Sequence, residues 1–312
     1  TGGLGDIGLV LAEHLAKTLK AKLILIGRGR LPQRSEWEEW LETHDSEEAI
    51  SRKLQKVLAL EELGAQVEVT SADVTNSEQM QAVIAQALQK FGQINGVIHA
   101  AGIAGGGIIQ LKTRDMATNV LAPKVKGTLV LAEVLKNINI DILVLFSSKT
   151  AILGEFGQVD YCAANTFLDA YAHQNNSNNS TFAQHTVSIN WDAWQEVGMA
   201  VKAAMPSEIK QGREESLKKG ILPQEGIDAF NRILQTGLSQ VVVSTLDFQA
   251  VIEQQNNSLQ YVDEELKLIE ENVSLLSFSK ANHSRPNLGN DYIPPSNEIE
   301  QILAEIWQQA IG

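Results

Sequence analysis

The sequence predicts an α/β fold, a doubly wound parallel sheet with helices on both faces. Three observations predict it. Short apolar runs alternate with helical stretches along most of the 312 residues, as a parallel sheet covered on both faces requires. A glycine-rich turn, Thr1-Gly2-Gly3-Leu4-Gly5-Asp6-Ile7-Gly8, leads directly into an amphipathic stretch. Small or polar residues close the later apolar runs, at Arg28, Asp73, His99-Ala100-Ala101-Gly102 and Ser147-Ser148.

The opening turn carries the first element. Glycine tolerates positive φ and lets backbone approach a bound group closely. Glycines 2, 5 and 8 leave amides at the start of a helix whose apolar stripe is Leu9, Val10, Leu11, Leu15 and Leu19. Such a helix N-terminus attracts anions, and the pyrophosphate of a dinucleotide is the natural guest. A turn of this kind normally leaves a buried central strand. That first strand is expected to lie outside this sequence, and the piece alone is expected to be less stable than the intact domain.

Strands are expected at Lys22–Ile26, Gln66–Thr70, Gly96–His99, Ile142–Phe146, Thr186–Asn190 and Val241–Ser244. Ser35–Ala65 is longer than a simple crossover needs. It reads as an exposed helical insertion with Trp37 and Trp40 among glutamates, then a helix capped by Asp45 or Ser46 and running to about Leu63. Met80, Val83, Ile84, Ala87, Leu88 and Phe91 recur at helical steps, and Thr75 with Glu78 can form a capping box. Pro123 can open a further helix with Val125, Leu129, Leu131 and Leu135 facing inward. Residues 1–252 form the catalytic domain in this reading. Residues 253–296, rich in Gln, Asn, Ser and Pro, read as a linker. Residues 297–312 begin a new amphipathic helix through Ile299, Leu303, Ile306 and Trp307.

Composition narrows the function. A net charge of −13 with no basic stripe argues against a nucleic-acid partner. No apolar run is long enough for a membrane span. Cys162, the single cysteine, excludes an internal disulfide, points to a reducing, cytoplasmic setting and reads as packing. The six histidines show no metal-ligand spacing, so no metal site is expected.

Four features carry chemistry. Arg28 follows the second strand of the fold, where dinucleotide sites place an acid for a ribose hydroxyl or an arginine for a 2′-phosphate, so NADPH is favoured over NADH. The alternative is a solvated arginine, and Arg30 is a second candidate. Asp73 either accepts from an adenine amino group or serves as a local turn or cap group. His99-Ala100-Ala101-Gly102 either lets backbone pass close to the nicotinamide or makes a tight turn, with the flexible Gly105-Gly106-Gly107 beyond. Ser148 ends a strand and Tyr161-Cys162-Ala163-Ala164-Asn165 begins a helix, which puts Tyr161 and Asn165 on one helical face.

With these motifs the chain resembles the short-chain dehydrogenase/reductase superfamily, and within it the ketoreductase domain of modular polyketide synthases. The resemblance covers about residues 1–252 and rests on TGGLGDIG, Asp73, HAAG, SSKT and YCAAN. It implies a Rossmann-like sheet and a catalytic set of Lys124, Ser148, Tyr161 and Asn165, with Lys126 in reserve. It implies NADPH held by Thr1, Gly2, Gly3, Leu4, Gly5, Ile7, Arg28, Asp73, Val74, Ala100, Ala101, Gly102 and Asn190. Residues from Asn190 to Met199 resemble the family's loop near the nicotinamide, and about Ala200–Gly220 its mobile lid. The implied reaction is reduction of a β-ketoacyl thioester on an acyl carrier protein, with other synthase domains in cis. Tyr161 would protonate the developing alkoxide, Lys124 would lower its pKa, Ser148 would hold the carbonyl oxygen, and Asn165 would hold a water or backbone group. The final helix resembles the start of a carrier domain, and the sequence stops before any serine that could carry phosphopantetheine. Ala104-Gly105-Gly106 and Leu153 match neither family fingerprint for hydroxyl handedness. A free-standing reductase and a non-catalytic scaffold share the dinucleotide turn. The linker and Asn165 argue against the first, Ser148 and Tyr161 against the second.

Overall fold

Every strand pair in the computed structural model is parallel. The structure describes residues 1–177, 183–202, 215, 217–257, 295–297 and 299–304. They fall in two compact units, Thr1–Phe248 and Gln249–Gly312. In the second unit, residues 249–257 and 299–304 are helical. The expected lid lies mostly outside the described residues, as do linker residues 258–294 and the chain end from 305.

The first unit runs α1 (Asp6–Leu19), β1 (Lys22–Gly27), α2 (Trp37–Thr43), α3 (Ala49–Glu62), β2 (Gln66–Ser71), α4 (Ser77–Phe91) and β3 (Gly96–His99). It continues with α5 (Arg114–Leu135), β4 (Ile140–Ser148), α6 (Thr150–Leu153), α7 (Val159–Ser177), β5 (Ala183–Trp191), α8 (Met199–Lys202), α9 (Pro223–Ile233) and β6 (Gln240–Val243). β1 pairs with β2, and β3, β4, β5 and β6 form a second ladder in that order.

Strand β4 shows why both faces are covered. Leu143 and Leu145 join a core with Met80, Leu131 and Leu168 from α4, α5 and α7. Val144 and Phe146 join a core with Leu11 of α1 and Phe230 of α9. Alternate side chains therefore enter opposite layers, and each fully buried one contributes about 1.5–3 kcal/mol.

The two ladders are joined at their carboxyl ends. The Thr1 amine donates to Ile98 O (2.8 Å), and Ala100 N–H donates to Thr1 O (3.0 Å). Gly3 N–H donates to Ile26 O at 3.2 Å. Behind these residues β1 and β3 face each other across a cavity of about 770 Å³, lined by Leu23, Leu25, Val97 and Ile98, with Leu11 and Ile84 from the helices.

Several local expectations change. Trp37 is buried against α3, its indole N–H donates to Pro32 O (3.0 Å), and the Arg34 guanidinium lies 4.2 Å from its ring. The insertion thus helps to build a core rather than standing exposed. Asn76 caps α4, accepting from Gln79 N–H at 3.0 Å, so the Thr75–Glu78 box does not form. Helix α3 begins at Ala49 without a side-chain cap. Pro123 sits inside α5, whose N-cap is Thr113, accepting from Met116 N–H at 3.2 Å. No helix among the described residues is long and apolar enough to cross a membrane.

Candidate active site

The carboxyl ends of β1, β3, β4 and β5 bring the sequence-predicted residues to one edge of the sheet, where open α/β sheets bind ligands. The first component is a cradle. Gly2 has φ +72°, and a Cβ there would lie 2.7 Å from Ala101 N and 2.8 Å from the Ala100 carbonyl carbon. A Cβ at Gly8 would lie 2.6 Å from Gly2 O. Only glycine allows the turn to nest on Ala100-Ala101 and α1 to start this tightly. Gly5 is the N-cap of the 14-residue α1 and makes no side-chain cap. Gly198, at φ +94°, covers Ile7, and its N–H donates to the Asp6 carboxylate at 3.3 Å. Arg28 is exposed beyond β1, and a Cβ on the adjacent Gly29 would meet nothing within 4 Å. A helix N-terminus without a side-chain cap and an exposed arginine in open space fit the phosphates of a nicotinamide dinucleotide.

Not every expected cofactor residue offers its side chain. Leu4 and Val74 are buried and pack into the core, so only their backbones face the edge. Asp73 Oδ1 accepts from Thr75 N–H (2.8 Å) and Thr75 Oγ1 (2.9 Å), the turn contact that the sequence also allowed. Asn190 is fully buried. Its amide donates to Ser147 Oγ (3.0 Å), Ser148 O (3.1 Å) and Asp169 Oδ2 (2.8 Å), and its oxygen accepts from Gln240. The Asn190 side chain therefore locks β4, β5 and α7 together instead of reaching a ligand.

The second component is the group of residues expected to carry the catalysis. The Lys124 ammonium, buried on α5, donates to Phe146 O (2.5 Å) and lies 5.9 Å from the Tyr161 ring centre. Burial lowers its pKa to about 8, opposed by the Asp169 carboxylate. Lys126 is exposed, so it is not the inward lysine. Burial raises the Tyr161 phenol above its ordinary range, and hydrogen bonds to Asn165 and Ser148 pull it back. The lowering expected from Lys124 is not seen: desolvation sets the net direction, and what opposes it comes from Asn165 and Ser148. Ser148 Oγ accepts from Thr150 N–H (3.3 Å) and Thr150 Oγ1 (3.1 Å). Asn165 donates to Tyr161 O at 2.7 Å, while its buried Oδ1 has no partner among the described residues.

The sequence reading assigned no side-chain role to three residues. Asp169 is a buried carboxylate that also accepts from Ser188 Oγ at 2.6 Å. Tyr161, Asn165 and Asp169 are spaced by four on α7, and that periodicity was the available signal. His99 links the two components: its Nδ1 meets Thr1 Oγ1 (2.6 Å) and its Nε2 meets Pro123 O (3.0 Å), beside Lys124. A carbonyl can only accept, so Nε2 carries the proton and Nδ1 accepts. Lys149 pairs with Asp192 at 2.5 Å, joining the end of β4 to the loop after β5.

Comparison with known proteins shows the family. A family model described as "KR domain" matches residues 1–196. The chain belongs to the KR domain family. It is 36% identical over 247 residues to a phenolphthiocerol/phthiocerol polyketide synthase of Mycobacterium tuberculosis, covering 78% of this chain and 12% of that protein. It is 32% identical over 255 residues to 6-methylsalicylic acid synthase of Aspergillus terreus, covering 80% of this chain and 14% of that protein. The chain thus spans about an eighth of the length of these two curated relatives. A crystal structure of a ketoreductase domain from the bacillaene assembly line superposes with a TM-score of 0.65 at 30% identity, covering 78% of this chain and 54% of that one. As a KR domain the protein is an oxidoreductase homologous to polyketide ketoreductases, consistent with β-ketoacyl reduction and a nicotinamide cofactor.

Proposed function

We propose that this KR domain uses NADPH to reduce the β-carbonyl of an acyl chain tethered through phosphopantetheine to an acyl carrier protein, with other synthase domains in cis. One observation carries the reading: Ser148 at the end of β4, Tyr161 and Asn165 in the first turns of α7 and Lys124 of α5 meet at one edge of the sheet, where the Lys124 ammonium lies 5.9 Å from the Tyr161 ring centre and the Asn165 amide donates to Tyr161 O. The bound nicotinamide supplies the hydride equivalent. Ser148, with its hydroxyl oxygen already accepting from Thr150, donates a hydrogen bond to the carbonyl oxygen, keeps its proton and stabilises the charge growing there. Tyr161, kept protonated by burial, delivers its proton to the resulting alkoxide. Lys124 stabilises the phenolate left behind, and Asn165 Oδ1 offers an acceptor for a water that returns the proton. Arg28 supports the choice of NADPH through its open, exposed position after β1.

The test is NADPH oxidation with a β-ketoacyl thioester. Tyr161→Phe is expected to lose about 10²–10⁴-fold in kcat with NADPH affinity retained. An unchanged rate in that variant refutes the assignment. Arg28→Ala is expected to raise KM for NADPH and leave that for NADH alone.

A further inference from the structure

A buried ion pair stands directly beside Tyr161 and has no part in the chemistry above. The Lys112 ammonium donates to Asp160 Oδ2 at 2.7 Å, and the two side chains are only 5% and 2% exposed. The same ammonium donates to Gly106 O at 2.8 Å. The other carboxylate oxygen of Asp160 accepts the Tyr161 backbone N–H at 2.9 Å. Lys112 thus ties together the triglycine loop, the entry to α5 and the first turn of α7. The loop has no slack where they meet. A Cβ on Gly105 would lie 2.7 Å from Asp160 Oδ1 and 3.0 Å from Tyr161 Cβ.

Stability alone gives weak grounds for such a pair. Desolvating two charges costs several kcal/mol per ion, and well-packed apolar replacements are often neutral or stabilising. What this pair does is geometric. It fixes the backbone amide of Tyr161 from one side and holds the wall of the cleft against that residue from the other. We propose that Lys112 and Asp160 are a positioning pair that sets the orientation of the Tyr161 phenol towards Ser148 and Asn165. This rests on the assignment of Tyr161 as the proton donor.

The test uses the double variant Lys112→Met/Asp160→Asn, which removes both charges together and keeps an acceptor for Tyr161 N–H. Lys112→Arg, which keeps a cation there, is the rescue control. Two readouts are taken. The first is kcat for β-ketoacyl thioester reduction beside the NADPH dissociation constant. The second is the titration of Tyr161 followed by ¹³Cζ-tyrosine NMR, assigned with Tyr161→Phe. The expected result for the double variant is a loss of about 10–100-fold in kcat, with NADPH affinity and melting temperature near wild type. Its Tyr161 midpoint moves away from the wild-type value, because the phenol no longer sits against the same neighbours. Lys112→Arg stays close to wild type in both readouts. A double variant that matches wild type in kcat and in the Tyr161 titration overturns the positioning role while the proton-donor assignment stands. A shifted Tyr161 titration in the double variant, when the wild-type protein reduces no thioester, upholds the positioning role and sinks the assignment instead.

Discussion

His99 makes this fold acid-sensitive in a way that can be calculated. Its pKa is lowered from 6.5 to about 3, first by complete burial and then by the positive charges of the Thr1 amine and Lys124. Both ring nitrogens are committed, Nε2–H to Pro123 O and Nδ1 to Thr1 Oγ1, and a second proton would meet the Thr1 hydroxyl in a fully buried site. The folded state therefore refuses a proton that the unfolded chain accepts near pH 6.5. Above that pH His99 contributes nothing to the pH dependence. As pH falls from about 6.5 towards about 3, stability is lost with a limiting slope of about 1.4 kcal/mol per pH unit. The loss is about 2 kcal/mol at pH 5 and about 3 kcal/mol at pH 4. The assay is urea unfolding between pH 7.5 and 4.5 for wild type and His99→Gln. The glutamine amide can still donate to Pro123 O but cannot titrate. His99→Gln is expected to be less stable at pH 7.5, yet to lose about 2 kcal/mol less than wild type on going to pH 5. Taking the difference between the two proteins cancels the carboxylates and the Thr1 amine. Parallel pH profiles would show that His99 is not held neutral, and the linked account of the glycine turn and α5 would fail with it.

Two further outcomes follow from the same geometry. The rate of thioester reduction should fall above about pH 8 as buried Lys124 loses its proton, and the limb should move to higher pH in Lys124→Arg; a wild-type rate flat to about pH 9.5 contradicts the role given to this ammonium. Gly226→Ala should destabilise by about 1–3 kcal/mol, because its Cβ would lie 2.1 Å from the Trp194 ring; an unchanged urea midpoint rejects that packing.

Much of the site was legible because local pattern encodes direction. A strand end fixes where Ser148 emerges, and four-residue spacing puts Tyr161 and Asn165 on one face of α7. The pattern did not reveal which side chains have room or company. Trp37 lies among glutamates in sequence, and its burial depends on α3, which arrives later in the chain. Asn190 reads as a cleft residue from its motif, but its amide is used by Ser147, Ser148 and Asp169. Pro123 looks like a helix start, yet α5 begins at Arg114.

By itself the sequence determined the parallel α/β fold, the glycine turn and the identity of the catalytic candidates, because period, turn chemistry and motif order are properties of neighbouring residues. Only the tertiary structure decided that Lys124 rather than Lys126 faces inward, that burial raises the Tyr161 pKa, and that Lys112 meets Asp160. Each of these depends on desolvation or on contact between residues far apart in the chain, and neither quantity exists until the layers have packed.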